Sequence, residues 1–121
     1  MKLDLACGNN KQEGFIGIDI TKEGTQADVE GNLLEFPWVF AIGNSIDETF
    51  CSHFLEHIPH GNGFNDPFFD FFNELWRILK SGAKATFVTP YYTSMRAFQD
   101  PTHQRSITEA TYAYLDPDWR K

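Results

Sequence analysis

Apolar positions in the first half of the chain come in short runs separated by turn residues, the pattern of brief strands. Residues 2–7 (KLDLAC) read as a first strand that runs directly into Gly8-Asn9-Asn10, a turn signal. A second strand is expected over Phe15 to Ile20, where Phe15, Ile16, Ile18 and Ile20 surround Gly17 and Asp19. A brief third strand is expected around Ala27-Asp28-Val29. Residues 30–44 read as loop, with room for one helical turn, broken by Pro37. A fourth strand covers roughly Glu48 to His53. The period then changes. Phe68, Phe72, Leu75, Trp76 and Leu79 recur at helical spacing as one apolar stripe, read as core packing against a sheet. Asp66 suits the N-cap of that helix, Pro67 its first position, and Gly82 the position past its end. Ala85 to Val88 makes a fifth strand ending at Pro90, and Ser106 with Glu109 has capping-box spacing for a short helix from about Ile107 to Leu115.

Strands alternating with connectors and one firm helix predict an α/β domain with a mainly parallel sheet of about five strands. At 121 residues the chain is read as one domain, 1–121. Only about eight residues separate the first two strands, whereas a parallel crossover holding a helix needs at least roughly 10–12. Either that crossover is a stripped loop or the strands pair differently. Hydrophobic residues make up 41% and include twelve Phe, ample for a core. No apolar run approaches the ~20 residues that span a membrane, so a cytoplasmic protein without membrane contact is expected. The formal charge of −7, with ten scattered Lys and Arg, disfavours a nucleic-acid partner, whose phosphates call for clustered cations. Cys7 and Cys51 are too few for a disulfide framework and form no CxxC pair.

The candidate chemistry begins at LDLACG (3–8), where a strand ends in a glycine turn and a ligand can lie against backbone. Alone, this is also what an ordinary strand-to-loop turn looks like. Asp19, near the end of the second strand, offers a bidentate acceptor for a vicinal diol, although a solvated strand-end acid would look the same. Together the two features point to a ligand that contains a nucleoside.

Four segments then carry a family resemblance: LDLACG at 3–8, FIGIDI at 15–20, SIDETFCSHFLEH at 45–57 and ELWRILKSGAKATFVTP at 74–90. In this order they resemble the first motif, the second strand with its ribose-binding acid, the fourth strand, and the following helix and fifth strand of class I S-adenosylmethionine-dependent methyltransferases. The resemblance covers residues 2–105 and implies a minimal Rossmann-like sheet in which the helices after the first two strands are shortened or missing. It implies S-adenosylmethionine as cofactor. Asp4, Ala6, Cys7 and Gly8 would line its methionine end and Asp19 its ribose. Ile20, Asp28 and Val29 would meet the adenine, while Ser52 and His53 would close over the amino-acid portion. Ala6 and Asn9-Asn10 stand where the family has glycines, and Lys80-Ser81-Gly82-Ala83 replaces Pro-Gly-Gly.

Methyl transfer asks the protein mainly for in-line positioning and, for some acceptors, a base. His53, His57 and His103 are the candidate catalytic residues, with Glu56 a further candidate base. Arg105 could pair with an acceptor's carboxylate or phosphate, or simply hydrogen-bond within its loop. Tyr91 and Tyr92 could line an acceptor pocket and fit ordinary surface aromatics equally well. His53, His57 and His60 were weighed as metal ligands and set aside, because they straddle a strand-to-loop change and their spacing cannot be taken as helical. No metal is expected. Cys51, inside a strand, is no nucleophile. The expected activity is methylation of oxygen or nitrogen on an unidentified small-molecule or protein acceptor. The rival is a catalytically degenerate S-adenosylmethionine-binding module acting as a partner or regulatory subunit. A sheet face stripped of helices would need a cover, for which a homodimer or the Phe-rich 64–72 region is the candidate.

Overall fold

A computed structural model describes residues 1–62, 65–116 and 118. Five strands form one sheet: β1 (Lys2–Leu5), β2 (Ile16–Asp19), β3 (Val29–Glu30), β4 (Ile46–Ser52) and β5 (Leu79–Val88). Their order across the sheet is β3-β2-β1-β4-β5, and every pairing is parallel. The chain runs outward from β1 to β3 and then returns to the other side of β1. A crevice therefore opens at the carboxyl ends of β1 and β4, where ligands bind in sheets of this kind. No helix among the described residues is long and apolar enough to cross a membrane.

The first crossover is indeed a stripped loop, and it still joins parallel strands. Side-chain oxygens do there what a helix ladder would do for the backbone. The N–H of Gln12 donates to Asp4 Oδ2 at 2.7 Å, that of Lys11 to Gln26 Oε1 at 2.9 Å, and that of Gly8 to Asp19 Oδ2 at 2.8 Å. The second and third crossovers also lack an α-helix. In the third, Trp38 is the anchor: its ring is buried against Phe71 and its indole N–H donates to Leu33 O at 3.0 Å.

The single α-helix, α1 (Pro67–Ile78), starts as expected, with Asp66 accepting the N–H of Phe68 and proline following the cap. Its end differs. Leu79 caps it in extended conformation and enters β5 at once, so Gly82, at φ +79°, belongs to a bulge in the strand and not to the helix terminus. The buried stripe is Phe68, Phe71, Leu75 and Ile78 with Glu74; Trp76 is 83% exposed. The 68/71/75/78 spacing is the truer helical row, and the sequence reading was drawn off it by Trp76 and by Leu79, which is no longer helical. The capping box near the C-terminus sits at Thr108 and Thr111, and it starts a 3-10 helix, Glu109–Leu115.

Strand register separates the two sheet faces. Leu3, Leu5, Ile18, Cys51 and Phe87 share one face, and Phe71 and Phe72 of α1 pack on Phe87 with ring centroids 6.3 and 5.3 Å away. The Phe-rich helix thus covers this face and not the stripped one; Phe64, also counted in that region, lies outside the described residues. The opposite face carries Lys2, Asp4, Gly17, Glu48, Phe50 and Lys84. Glu48 bridges Lys2 and Lys84 across the strands at 3.6 and 3.8 Å. Where helices are missing, the strands present these charges around Phe50.

Candidate functional site

Among the described residues three non-glycine residues have positive φ, and two of them stand at the crevice: Ala6 (φ 58°) directly after β1 and His53 (φ 57°) directly after β4. Gly8 adds a third left-handed turn residue at φ 52°. Each of these residues turns the backbone sharply just beyond a strand. The N–H of His53 donates to Val88 O at 2.6 Å, which extends the β4–β5 ladder by one bond before the chain turns away.

Asp19 ends β2 and reaches across to the first turn. Its Oδ2 accepts the Gly8 N–H at 2.8 Å and its Oδ1 accepts the Ile20 N–H at 2.7 Å. A carboxylate oxygen accepts two hydrogen bonds, so both oxygens retain capacity for a diol. Ile20, beside it, is 66% exposed, an apolar side chain open to a flat partner. Asp4 is buried, and burial raises its pKa, against the pull of the Gln12 N–H and Lys11. Cys7 is buried next to Gly17, and burial, helped by the charges of Asp19 and Asp4, pushes its thiol up to about 11. Cys51 is buried too, and desolvation raises its thiol further, in keeping with a core residue and no nucleophile.

Asp28 and Val29 are placed differently from expectation. β3 begins at Val29, so Asp28 precedes the strand and neither residue lies beyond its carboxyl end. Asp28 Oδ2 accepts the Gly17 N–H at 2.8 Å and pairs with Lys11 Nζ at 3.0 Å. Those two contacts, the Gly17 N–H first, hold its pKa below the usual range. The residues that follow β3 are Gly31 and Asn32, which the sequence reading missed. Gly31 donates to Asp19 O at 2.8 Å, and a Cβ there would meet Phe40 at 3.0 Å and Ile18 at 3.1 Å. A glycine flanked by Glu30 and Asn32 was the available signal.

Ser52 ends β4, and His53 and Glu56 follow it on the way into a 3-10 turn, Leu55–His57. His53, Glu56, His57, Pro90, Arg96, Gln99, Asp100 and His103 line one cavity of about 250 Å³. The structure therefore gathers all three candidate catalytic histidines. The loop that delivers His103 is pinned by Glu56, whose carbonyl accepts the N–H of Gln104 at 2.7 Å and that of Arg105 at 3.3 Å. His60 stands apart, with Nε2 2.8 Å from Gln104 O. Tyr91 and Tyr92 follow β5 as an exposed pair, ring centroids 4.9 Å apart, and neither lines that cavity.

Arg105 is engaged within the chain. Its guanidinium donates to Ile58 O at 3.0 Å, Pro59 O at 2.8 Å and Asp66 Oδ1 at 3.0 Å, and it lies 4.9 Å over the Phe68 ring. With its side chain only 13% exposed, it clamps the segment between β4 and α1 and is not presented to an acceptor.

A solved S-adenosylmethionine-dependent methyltransferase from Archaeoglobus fulgidus superposes on this chain with a TM-score of 0.72 at 24% identity, over 94% of this chain and 57% of that one. The YcgJ protein of Bacillus subtilis does so with a TM-score of 0.61 at 20% identity, over 94% of this chain and 58% of its own. This chain has a class I methyltransferase fold. It spans somewhat more than half the length of these two structures. No family model and no curated protein matches the sequence.

Proposed function

We propose that this chain binds S-adenosylmethionine at the carboxyl ends of β1, β2 and β4 and transfers its methyl group to oxygen or nitrogen of an acceptor. The observation that carries the reading is the pairing of Asp19 with the Gly8 turn, next to an exposed Ile20, on a parallel sheet shared with a known methyltransferase. The fit is good at the nucleoside end. Asp19 keeps acceptor capacity for ribose hydroxyls, and Ile20 offers an apolar surface for the adenine. Ala6, Cys7 and Gly8 present backbone to the methionine end, with Ser52 and His53 opposite.

The bound cofactor supplies an activated sulfonium methyl, and the protein's own task is to place the acceptor in line and manage its proton. His53 is the base best placed for this. Its side chain is 59% exposed, it stands at the end of β4, and its Nδ1 lies 3.6 Å from Glu56 Oε2, which can orient the ring and stabilise its positive charge. His57 and His103 line the same cavity, which is where we place the acceptor.

Isothermal titration with S-adenosylmethionine and S-adenosylhomocysteine, on the wild type and on Asp19→Ala, tests the reading. Micromolar binding that Asp19→Ala abolishes supports it. No binding of either ligand by the wild type overturns it.

A further inference from the structure

Glu56 is 2% exposed, and neither oxygen of its carboxylate accepts a hydrogen bond from any described group. A buried charge without hydrogen bonds is costly, and proteins resolve it with a partner, a proton or a metal ion. The side chain lines the same cavity as His57 and His103. One potential ligand atom from each of Glu56, His57 and His103 lies within 4.8 Å of the others.

Hydrogen bonds around the two imidazoles fix which nitrogens are free. His103 Nδ1 lies 3.2 Å from Ala97 O, and a carbonyl can only accept, so Nδ1 is the donor there and Nε2 is the nitrogen available to a metal ion. That Nε2 faces Glu56 Oε2 at 4.0 Å and Asp100 Oδ2 at 3.6 Å. Thr102 donates its hydroxyl proton to Asp100 Oδ1 at 2.7 Å, so toward His57 Nδ1, at 3.2 Å, it can only accept. His57 is thereby held with Nδ1 protonated and Nε2 free. Two imidazoles, each with one nitrogen hydrogen-bonded to an oxygen and the other turned away from it, are the arrangement that orients histidine ligands in metal sites.

The geometry points to a divalent transition-metal site formed by Glu56, His57 and His103. Two imidazoles and one carboxylate suit a borderline ion such as Zn²⁺ or Co²⁺ better than Mg²⁺ or Ca²⁺, which prefer oxygen ligands. Bonds of about 2.1 Å set tetrahedral donors ~3.4 Å apart, so the side chains close in by roughly an ångström on binding. Three protein ligands leave a position open toward the cavity that His53 also lines. The ligand set differs from the His53, His57 and His60 of the sequence: Glu56 and His103 take the places of His53 and His60, and His103 comes from a loop that only the fold brings to Glu56.

The test is a titration of chelator-treated protein with Co²⁺ or Zn²⁺ alone, without S-adenosylmethionine, so its failure leaves the cofactor reading untouched. One equivalent of Co²⁺ should bind with visible d–d absorption. On Zn²⁺ addition to the wild type, the imidazole NMR signals of His57 and His103 should shift and that of His60 should not. His103→Ala should weaken Co²⁺ binding by at least the ~10–100-fold that loss of an outer partner alone costs. His60→Ala should leave it unchanged. No uptake by the wild type, or a shift of His60 in place of His57 and His103, overturns the site; the NMR readout needs no variant and is immune to misfolding of one.

Discussion

The backbone N–H of Gly8 donates to Oδ2 of Asp19 across 2.8 Å, joining the turn after β1 to the end of β2. One carboxylate thus shapes the loop and, in our reading, also faces the ribose. The two roles separate by substitution. Asp19→Asn keeps an amide oxygen for the Gly8 N–H but loses the charge and the acceptor of the exposed Ile20 N–H, so it should fold with only a small loss of stability and bind S-adenosylmethionine roughly tenfold more weakly. Asp19→Ala loses both acceptors and should cost about 1–3 kcal/mol in stability as well as the binding. Urea denaturation alongside titration calorimetry distinguishes them; equal affinities for wild type and Asp19→Asn would remove the carboxylate's charge from the account.

Gly17 has no room for a side chain. A Cβ there would stand 2.8 Å from Cys7 Sγ, 2.9 Å from Lys11 Cδ and 3.3 Å from Gln26 O. Lys11 can swing away, whereas the buried thiol of Cys7 cannot. Gly17→Ala should therefore destabilise by about 1–3 kcal/mol, as overpacking does, and displace the cofactor turn. Cys7→Ala removes the main obstacle. The double variant should be less destabilised than the sum of the two single ones, by denaturation in a double-mutant cycle. Strict additivity would show that Cys7 is not the limiting contact.

Ala6 holds a left-handed conformation at φ 58°, where an L-residue with a Cβ is strained by about 1–2 kcal/mol. Glycine relieves this but loses roughly 0.5–1 kcal/mol through the freedom it gives the unfolded chain. Ala6→Gly should be neutral or stabilising by up to about 1 kcal/mol, with the cofactor turn intact. A lower melting temperature in the variant would mean that the Ala6 methyl packs more usefully than its backbone angle costs.

The strand and helix periods in the sequence were sufficient for the five-stranded parallel sheet and for the existence and start of α1, because β4 alternates and Asp66-Pro67 marks the helix start, whereas the buried 68/71/75/78 row was missed. The first turn, Asp19 and the exposed Ile20 were legible for the same reason: each lies within a few residues of a strand end. What was not legible depends on partners far along the chain. Whether Arg105 met an acceptor or a structural partner stayed open, because its acceptors Ile58 O, Pro59 O and Asp66 are more than 35 residues away. The same separation hid the meeting of His103 with Glu56. β3 was set too early because it pairs through so few residues, Val29 and Glu30, that alternation cannot mark its ends. The polar stripped face went unread because Lys2, Glu48 and Lys84 become neighbours only through register.

Glu74 holds the third crossover against α1. Its Oε1 accepts the Trp38 N–H at 2.6 Å, and Arg77 grips both carboxylate oxygens while donating to Trp38 O at 3.1 Å and Ala41 O at 3.3 Å. Arg77 accordingly pulls the Glu74 pKa down. Glu74→Ala leaves a buried N–H and a half-buried guanidinium without their acceptor and should cost about 2–4 kcal/mol. Lys80→Ala, which breaks an exposed pair with Asp47, should cost under about 1 kcal/mol. Comparable losses in chemical denaturation would contradict the assignment of Glu74 as the anchor of residues 31–45.

Alkaline pH should weaken the fold through its thiols. Burial, then the charges of Asp19 and Asp4, raises Cys7 from 9.0 to about 11, and Cys51 is raised too. In the unfolded chain Cys7 loses its proton near pH 9, while the folded chain keeps it until about pH 11. Between those values the native state binds more protons, so stability is full below pH 9 and falls as the pH rises toward 11. Urea unfolding at intervals from pH 8 to 11 should show this decline, and Cys7→Ala should make it shallower without abolishing it, because Cys51 still contributes. Iodoacetamide at pH 8 should label neither thiol in the native protein and both in urea. A pH-independent stability across that window, or rapid native labelling of Cys7, would mean that the thiol beside Gly17 is more open to water than its packing indicates.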